Sequence, residues 1–205
     1  MTSPRFCSSL YQSDWDYYQL HGAFAGIDEA GRGALAGPVV IAAVVLDYSK
    51  PIEGLNDSKL LRPKKREELF DLIISSAQSY HITKISHSYI DRFNILQATL
   101  MGFTTAFRKL DLQVSSCLID GNIVPPFLKG RGTAVIKGDQ LHAAIAAASI
   151  LAKVYRDRLM VAYDDIYPEF GFANHKGYGT AHHCKMIHSF GRCPIHRKSF
   201  HVPSL

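Results

Sequence analysis

Two adjacent acids, Asp28 and Glu29, stand where the apolar run Phe24-Ala25-Gly26-Ile27 stops, and Gly31-Arg32-Gly33 follows at once. Two further acids repeat that context: Cys117-Leu118-Ile119 ends at Asp120-Gly121, and Val135-Ile136-Lys137-Gly138 leads to Asp139. Such runs read as strands, and in a sheet covered by helices aligned strand ends would gather Asp28, Glu29, Asp120 and Asp139 at one edge. Four carboxylates so placed repel one another, which raises some of their pKa values unless cations neutralise them. Hard oxygen donors of this kind suit Mg²⁺ or Mn²⁺. Taken singly, each acid has a plainer role. Asp28 and Glu29 can open a surface turn, Asp120-Gly121-Asn122 is itself a turn sequence, and Asp139 can cap the helix behind it. Together, at the ends of separate strands, they favour a carboxylate metal site. The turn beside them adds a basic group: Arg32 can fork onto a phosphate oxygen, and Gly31 and Gly33 let the main chain approach a ligand closely.

The scaffold for these acids is an alternation of strands and helices, which argues an α/β domain. Small and β-branched apolar residues predict strands at 23–28 and 39–46, with shorter ones at 81–87, 117–120 and 133–136. In Asn56-Asp57-Ser58, Ser58 reads as the cap of a helix that carries Pro63 in its early turn. Ile90, Phe93, Leu96, Leu100, Phe103 and Phe107 recur at three- and four-residue steps and predict one amphipathic helix over 89–110. A long helix over 141–167 is packed with alanine in its first half, so it can lie close against a sheet; Asp139 sits at the turn before it. A short helix is predicted at 181–190, and Trp15, Tyr17 and Tyr18 predict a helical turn packed on the main body.

Composition narrows the class. The 205 residues fit one compact domain or a domain with a small appendage, and 47% hydrophobic with 20% charged residues marks a globular chain. A net charge of +5 makes contact with a polyanion such as nucleic acid more favourable, without singling one out. No apolar stretch approaches the roughly 20 residues of a membrane span. The N-terminal residues lack a secretory layout and the four cysteines are scattered, so reduced thiols in a cytoplasmic protein are expected. His182, His183, Cys184, His188 and Cys193 crowd the tail, and Cys184 and His188 can face one ion from a helix. No paired-cysteine spacing supports zinc, and solvent-facing histidines in a basic tail explain these residues more simply.

The order of the motifs resembles a known family. Gly26-Ile27-Asp28-Glu29-Ala30-Gly31-Arg32-Gly33 is similar to the signature of bacterial ribonuclease HII. Asn56-Asp57-Ser58-Lys59, Ile119-Asp120-Gly121-Asn122, Lys137-Gly138-Asp139, the block from Ala147 to Val154, His175-Lys176-Gly177-Tyr178 and Pro194-Ile195-His196-Arg197-Lys198-Ser199-Phe200 resemble its further blocks, in order. The resemblance runs from about residue 23 to residue 200. It implies a ribonuclease H-like mixed five-stranded sheet flanked by helices, with a helical C-terminal extension. Residues 1–22 would be an N-terminal helical appendage, 23–170 the catalytic core, and 171–205 a C-terminal loop and helix completing the substrate site.

The implied reaction is hydrolysis of the phosphodiester 5′ of a ribonucleotide, in RNA–DNA hybrids and in DNA duplexes with embedded ribonucleotides, leaving 3′-hydroxyl and 5′-phosphate ends. The implied catalytic and metal-binding acids are Asp28, Glu29, Asp120 and Asp139, holding two Mg²⁺ or Mn²⁺ ions that activate a water and stabilise the leaving oxygen. Asp157 competes for the fourth place, but it lies inside a helix between Arg156 and Arg158, where a local ion pair is the expected role. Gly31, Arg32, Gly33 and Tyr178 would sense the ribose-to-deoxyribose junction, with Tyr178 stacked on the following sugar. Tyr178 can also be a loop aromatic packed on the C-terminal helix. Lys59, Lys153 and Lys176 can contact phosphate or sit solvated at the surface. The protein is taken as a monomer without a membrane partner. A ribonuclease HIII-type enzyme is the rival within the superfamily, disfavoured by Arg32 in place of lysine and by the short segment before Ile27. A basic nucleic-acid-binding module whose acids only cap helices is the non-enzymatic rival. Ala34 departs from the proline more usual in the family.

Overall fold

The computed structural model describes residues 8–112 and 114–204; Cys7 lies outside them. The elements in chain order are α1 (Ser9–His21), β1 (Phe24–Ala30), β2 (Val39–Val45), α2 (Pro63–Ser76), β3 (Ser79–Ile85), α3 (His87–Arg108), β4 (Ser116–Asp120), β5 (Gly132–Val135), α4 (Ala143–Ile166), α5 (Phe172–His175) and α6 (Ala181–Phe190). Five strands form one sheet in the order β3-β2-β1-β4-β5. The pairs β1–β2 and β2–β3 are antiparallel, whereas β1–β4 and β4–β5 are parallel.

Both faces of the sheet are covered, so β2, Val-Val-Ile-Ala-Ala-Val-Val, is buried throughout instead of alternating. Phe24, Val40, Ala42, Val44 and Leu118 pack under α2 and α4. Ala25, Ile27, Val39, Ile41, Ala43 and Ile119 pack against α3. The alanine-rich first half of α4 is buried on all sides. Its approach is close enough that a Cβ on Gly26 would lie 2.1 Å from the carbonyl carbon of Ala144.

The start of α4 is satisfied from outside the helix. Its first preceding residue, His142, makes no capping bond with its side chain. Asp14 of α1, fully buried, accepts instead from the Ala144 amide at 2.8 Å and from the Tyr48 hydroxyl at 3.1 Å, and pairs with His142 Nδ1 at 2.9 Å. This supplies an acceptor to one of the otherwise orphaned amides of a helix N-terminus.

Two local expectations fail for identifiable reasons. Ser58 does not cap α2, which begins at Pro63. Residues 56–60 form an Asx-type turn instead: Asp57 Oδ1 accepts the Lys59 amide at 2.8 Å, and the Ser58 amide donates to Ser149 Oγ on α4 at 3.3 Å. The predicted helix over 89–110 is two segments, because Asn94 adopts φ 65, ψ 168. Its side chain caps the second segment through the Gln97 amide at 3.0 Å. The break resets the helical phase, so Phe93 turns outward while Ala98, Gly102, Phe103 and Phe107 face the sheet.

Candidate active site

The parallel register explains how the acids meet. Ile27 pairs with Ile119, so Asp28 and Asp120 follow one step further along neighbouring strands, and Asp120 pairs with Val135 on β5. Alternation places both on the α4 side, since Phe24 and Leu118 belong to that layer. Asp139 arrives from a single 3₁₀ turn (Gly138–Gln140) between β5 and α4, so it does not cap α4. Main-chain amides orient two of the carboxylates: the Glu29 amide donates to Asp28 Oδ1 at 2.7 Å, and the Gly138 amide to Asp120 Oδ1 at 2.7 Å.

An open cleft of about 420 Å³ is lined by Asp28, Glu29, Asp120, the turn at 31–33, Lys59, Lys153 and Tyr178. Buried Asp139 stands beside it, its Oδ2 3.5 Å from the Lys59 ammonium. Burial, then the charges of Glu29 and Asp120, push Asp28 well above the ordinary carboxylate range. Burial also carries Glu29 from 4.5 up to about 7; Arg32 and Lys59 oppose the rise, while Asp120 and Asp139 add to it. Asp139 is raised by burial and by Asp120 and Asp57. For Lys59 burial is outweighed by Asp139, Asp57 and Asp28, and its pKa rises. These shifts have one physical origin, which is negative charge crowded where solvent is scarce. Among the described residues no group of three or more histidine, cysteine or acid side chains is arranged to hold a metal ion. Asp28, Glu29 and Asp120 face one cleft, with Asp139 beside it.

The other expected residues divide. Arg32 is half exposed, its guanidinium 3.8 Å from Glu29. Tyr178 lies over Lys153 and Arg156, at 5.7 Å and 5.2 Å from its ring centre. Lys176 lies outside this cleft, in the neighbouring pocket with Asp157, and its ammonium donates to the Ala173 carbonyl. Asp157 makes its ion pair with Lys153, 2.7 Å away at the i,i+4 helical spacing, and not with the arginines on either side. Arg158 pairs with Glu67 and Arg156 turns into the core.

The tail histidines also require correction. His183 is buried, not solvent-facing; it lies against His196, also buried, and burial lowers both to about 4. Neutral imidazoles fix the proton order: the Cys193 amide donates to His196 Nδ1, His196 Nε2–H to His183 Nε2, and His183 Nδ1–H to the Tyr178 carbonyl, at 2.9, 3.0 and 2.9 Å. This chain holds the tyrosine loop. Sequence reasoning also passed over Asp57, whose Oδ2 accepts from Gln140 Nε2 at 3.1 Å beside Asp139. Its one signal was its place in the Asn-Asp-Ser-Lys block.

A mixed five-stranded sheet with acids gathered at the ends of its parallel strands is the ribonuclease H-like arrangement. The Ribonuclease HII family profile matches residues 25–202. Ribonuclease HII 1 of Methylibium petroleiphilum is 54% identical over 86% of this chain and 88% of its own length, and ribonuclease HII of Albidiferax ferrireducens is 52% identical over 91% and 88%. The crystal structure of ribonuclease H2 from Pyrococcus horikoshii superposes with a TM-score of 0.73 at 30% identity, covering 88% of this chain and 94% of that one. The chain belongs to the ribonuclease HII family, and it is a type 2 ribonuclease H endonuclease. Among the described residues no helix is long and apolar enough to cross a membrane.

Proposed function

We propose that this enzyme is metal-dependent and cuts 5′ of a ribonucleotide, both in RNA–DNA hybrids and in DNA duplexes with embedded ribonucleotides, leaving 3′-hydroxyl and 5′-phosphate ends. The observation that carries the reading is one cleft lined both by Asp28, Glu29 and Asp120 and by the turn at 31–33 with Tyr178. Chemistry and sugar recognition can therefore act on the same nucleotide.

The donor set fits Mg²⁺ or Mn²⁺. All its donors are carboxylate oxygens, Asp28, Glu29 and Asp139 carry raised proton affinities, and the nearby Lys59 and Arg32 are too exposed to neutralise them fully. An open set suits Mg²⁺, which retains waters and takes substrate oxygens into its shell. Asp28, Glu29, Asp120 and Asp139 would hold the metal, which when bound supplies an acidified water and charge neutralisation at the leaving oxygen. The chain's own groups do the positioning. The exposed part of the turn presents main-chain groups to a 2′-hydroxyl, which both donates and accepts. Arg32, Lys59 and Lys153 offer charge to phosphate oxygens, and Tyr178 offers a flat face to a sugar. Lys176 contributes through its main-chain carbonyl more than its tethered ammonium. Free Cys117, Cys184 and Cys193 support a cytoplasmic setting.

The test is cleavage of a DNA duplex carrying one ribonucleotide, with Mg²⁺ or Mn²⁺, by the wild type and by Asp120→Asn. The wild type should cut 5′ of the ribonucleotide and leave all-DNA duplex intact. Asp120→Asn should fall by at least about a hundredfold with its fold retained. A variant cutting at the wild-type rate, or a wild type inert with both cations, would overturn the proposal.

A further inference from the structure

Two buried side chains lie between the turn at 31–33 and the loop of Tyr178, and the acid chemistry uses neither. Arg156 and Arg197 are both fully buried. Among the described residues no carboxylate pairs with either one, and both are committed to main-chain carbonyls. Arg197 donates from Nε to Gly37, from Nη1 to Arg32 and from Nη2 to Gly31, at 3.1, 2.8 and 2.7 Å. Arg156 donates from Nε to Pro38, from Nη2 to Ala36 and from Nη1 to Lys176, at 3.0, 3.0 and 2.9 Å. Five of these six acceptors belong to the turn and the segment leading out of it. The sixth stands two residues before Tyr178, whose ring Arg156 also meets at 5.2 Å.

The surrounding backbone is built for this layer. The Leu35 amide donates to the Gly177 carbonyl and the Arg197 amide to the Leu35 carbonyl, each at 2.8 Å. A Cβ on Gly31 would fall 1.8 Å from Arg156 Nε, and one on Gly177 would lie 2.8 Å from the Ala36 carbonyl oxygen. Gly31 thus makes room for a guanidinium underneath, while Gly33 is exposed with open space around it. The acids are oriented by other groups, the amides of Glu29 and Gly138.

We infer that Arg156 and Arg197 are positioning residues that hold the 31–33 turn and Tyr178 at one fixed separation, and that this separation sets the enzyme's preference for a ribose–deoxyribose junction. The inference rests on the sugar-sensing role proposed above for the turn and tyrosine. A planar fork spans three carbonyls at once; an ammonium is a point donor and leaves the layer under-braced. Loosening it shifts the turn against the tyrosine and leaves the acids in place.

The experiment compares wild type, Arg156→Lys, Arg197→Lys, Tyr178→Ala and the double variant Arg197→Lys/Tyr178→Ala. For each, kcat and KM are measured on a duplex with one ribonucleotide and on an RNA–DNA hybrid, with thermal melting and Mn²⁺ binding by calorimetry alongside. Each lysine variant should lose about tenfold or more on the single-ribonucleotide duplex, about threefold or less on the hybrid, and bind Mn²⁺ as the wild type does. The double variant should be no less selective than Tyr178→Ala alone, since both act through one element. Equal losses on both substrates that track the melting temperature overturn the inference, as does failure of both lysine variants to fold. If Tyr178→Ala shifts selectivity and neither lysine variant does, sensing stands and positioning is refuted. If Tyr178→Ala leaves selectivity unchanged, the sensing role is wrong and the inference falls with it.

Discussion

Glu29→Gln should stabilise the protein when divalent cations are chelated, and only above a definable pH. Burial, with Asp120 and Asp139 nearby, raises the Glu29 carboxyl from 4.5 to about 7. The folded state therefore binds its proton more tightly than the unfolded state does. Below about pH 4.5 the group is protonated in both states and favours neither. As pH rises towards 7 the unfolded state ionises first, and stability falls until the folded group ionises too. At about 1.4 kcal/mol per tenfold change in proton affinity, the loss at pH 8 is at most about 3 kcal/mol. Part of it would be shared with Asp28, so about 1–3 kcal/mol is the working range. Glutamine keeps the shape and removes the charge. Urea unfolding in EDTA should then show Glu29→Gln more stable than the wild type by that amount at pH 8, with the gap closing by pH 4. Saturating Mg²⁺ should narrow the gap at pH 8, because the cation binds the wild-type cluster more tightly. A variant no more stable than the wild type at pH 8, or a gap that persists undiminished at pH 4, would refute the reasoning.

Two further outcomes test the scaffold beneath the site. Gly26→Ala puts a methyl group 2.1 Å from the Ala144 backbone, so α4 must lift from the sheet. A loss of about 1–3 kcal/mol or more is expected, read as a lower melting temperature with reduced activity on every substrate. Asp14→Ala strips the Ala144 amide and the Tyr48 hydroxyl of their buried acceptor. It should lower stability by about 1–3 kcal/mol in urea, whereas Asp14→Asn, which retains a carbonyl acceptor, should lose less.

Much of the fold and the gathering of the acids was legible in the sequence because it depends on local signals. An apolar run that stops at an acid marks a strand end, and a sheet edge then collects such ends. The long alanine-rich helix was legible for the same reason, since small side chains report a close approach directly. The single helix over 89–110 misled because Asn94 falls where a polar residue fits an amphipathic pattern, and nothing local signals that its backbone leaves the helical region. Ser58 misled because Asx turns and helix caps use the same residue types. Arg156, Arg197, His183 and His196 were opaque for a deeper reason. A basic side chain is ordinarily an exposed one. Their burial follows from carbonyls and rings that the chain brings together from far away, Gly31 being 166 residues from Arg197.

That separation also bears on how the protein is made. Synthesis runs from the N-terminus, so the strands carrying Asp28, Glu29 and Asp120, and then Asp139 and α4, emerge before residue 178, and the turn at 31–33 waits longest for its brace. Domains fold as they emerge, and the sheet can settle while the carbonyls of Gly31 and Arg32 are still open to water. Arg197 then acts as a closing stitch that draws the earlier-made turn against a segment made much later. A nascent chain would gather its acids first and brace the turn beside them later.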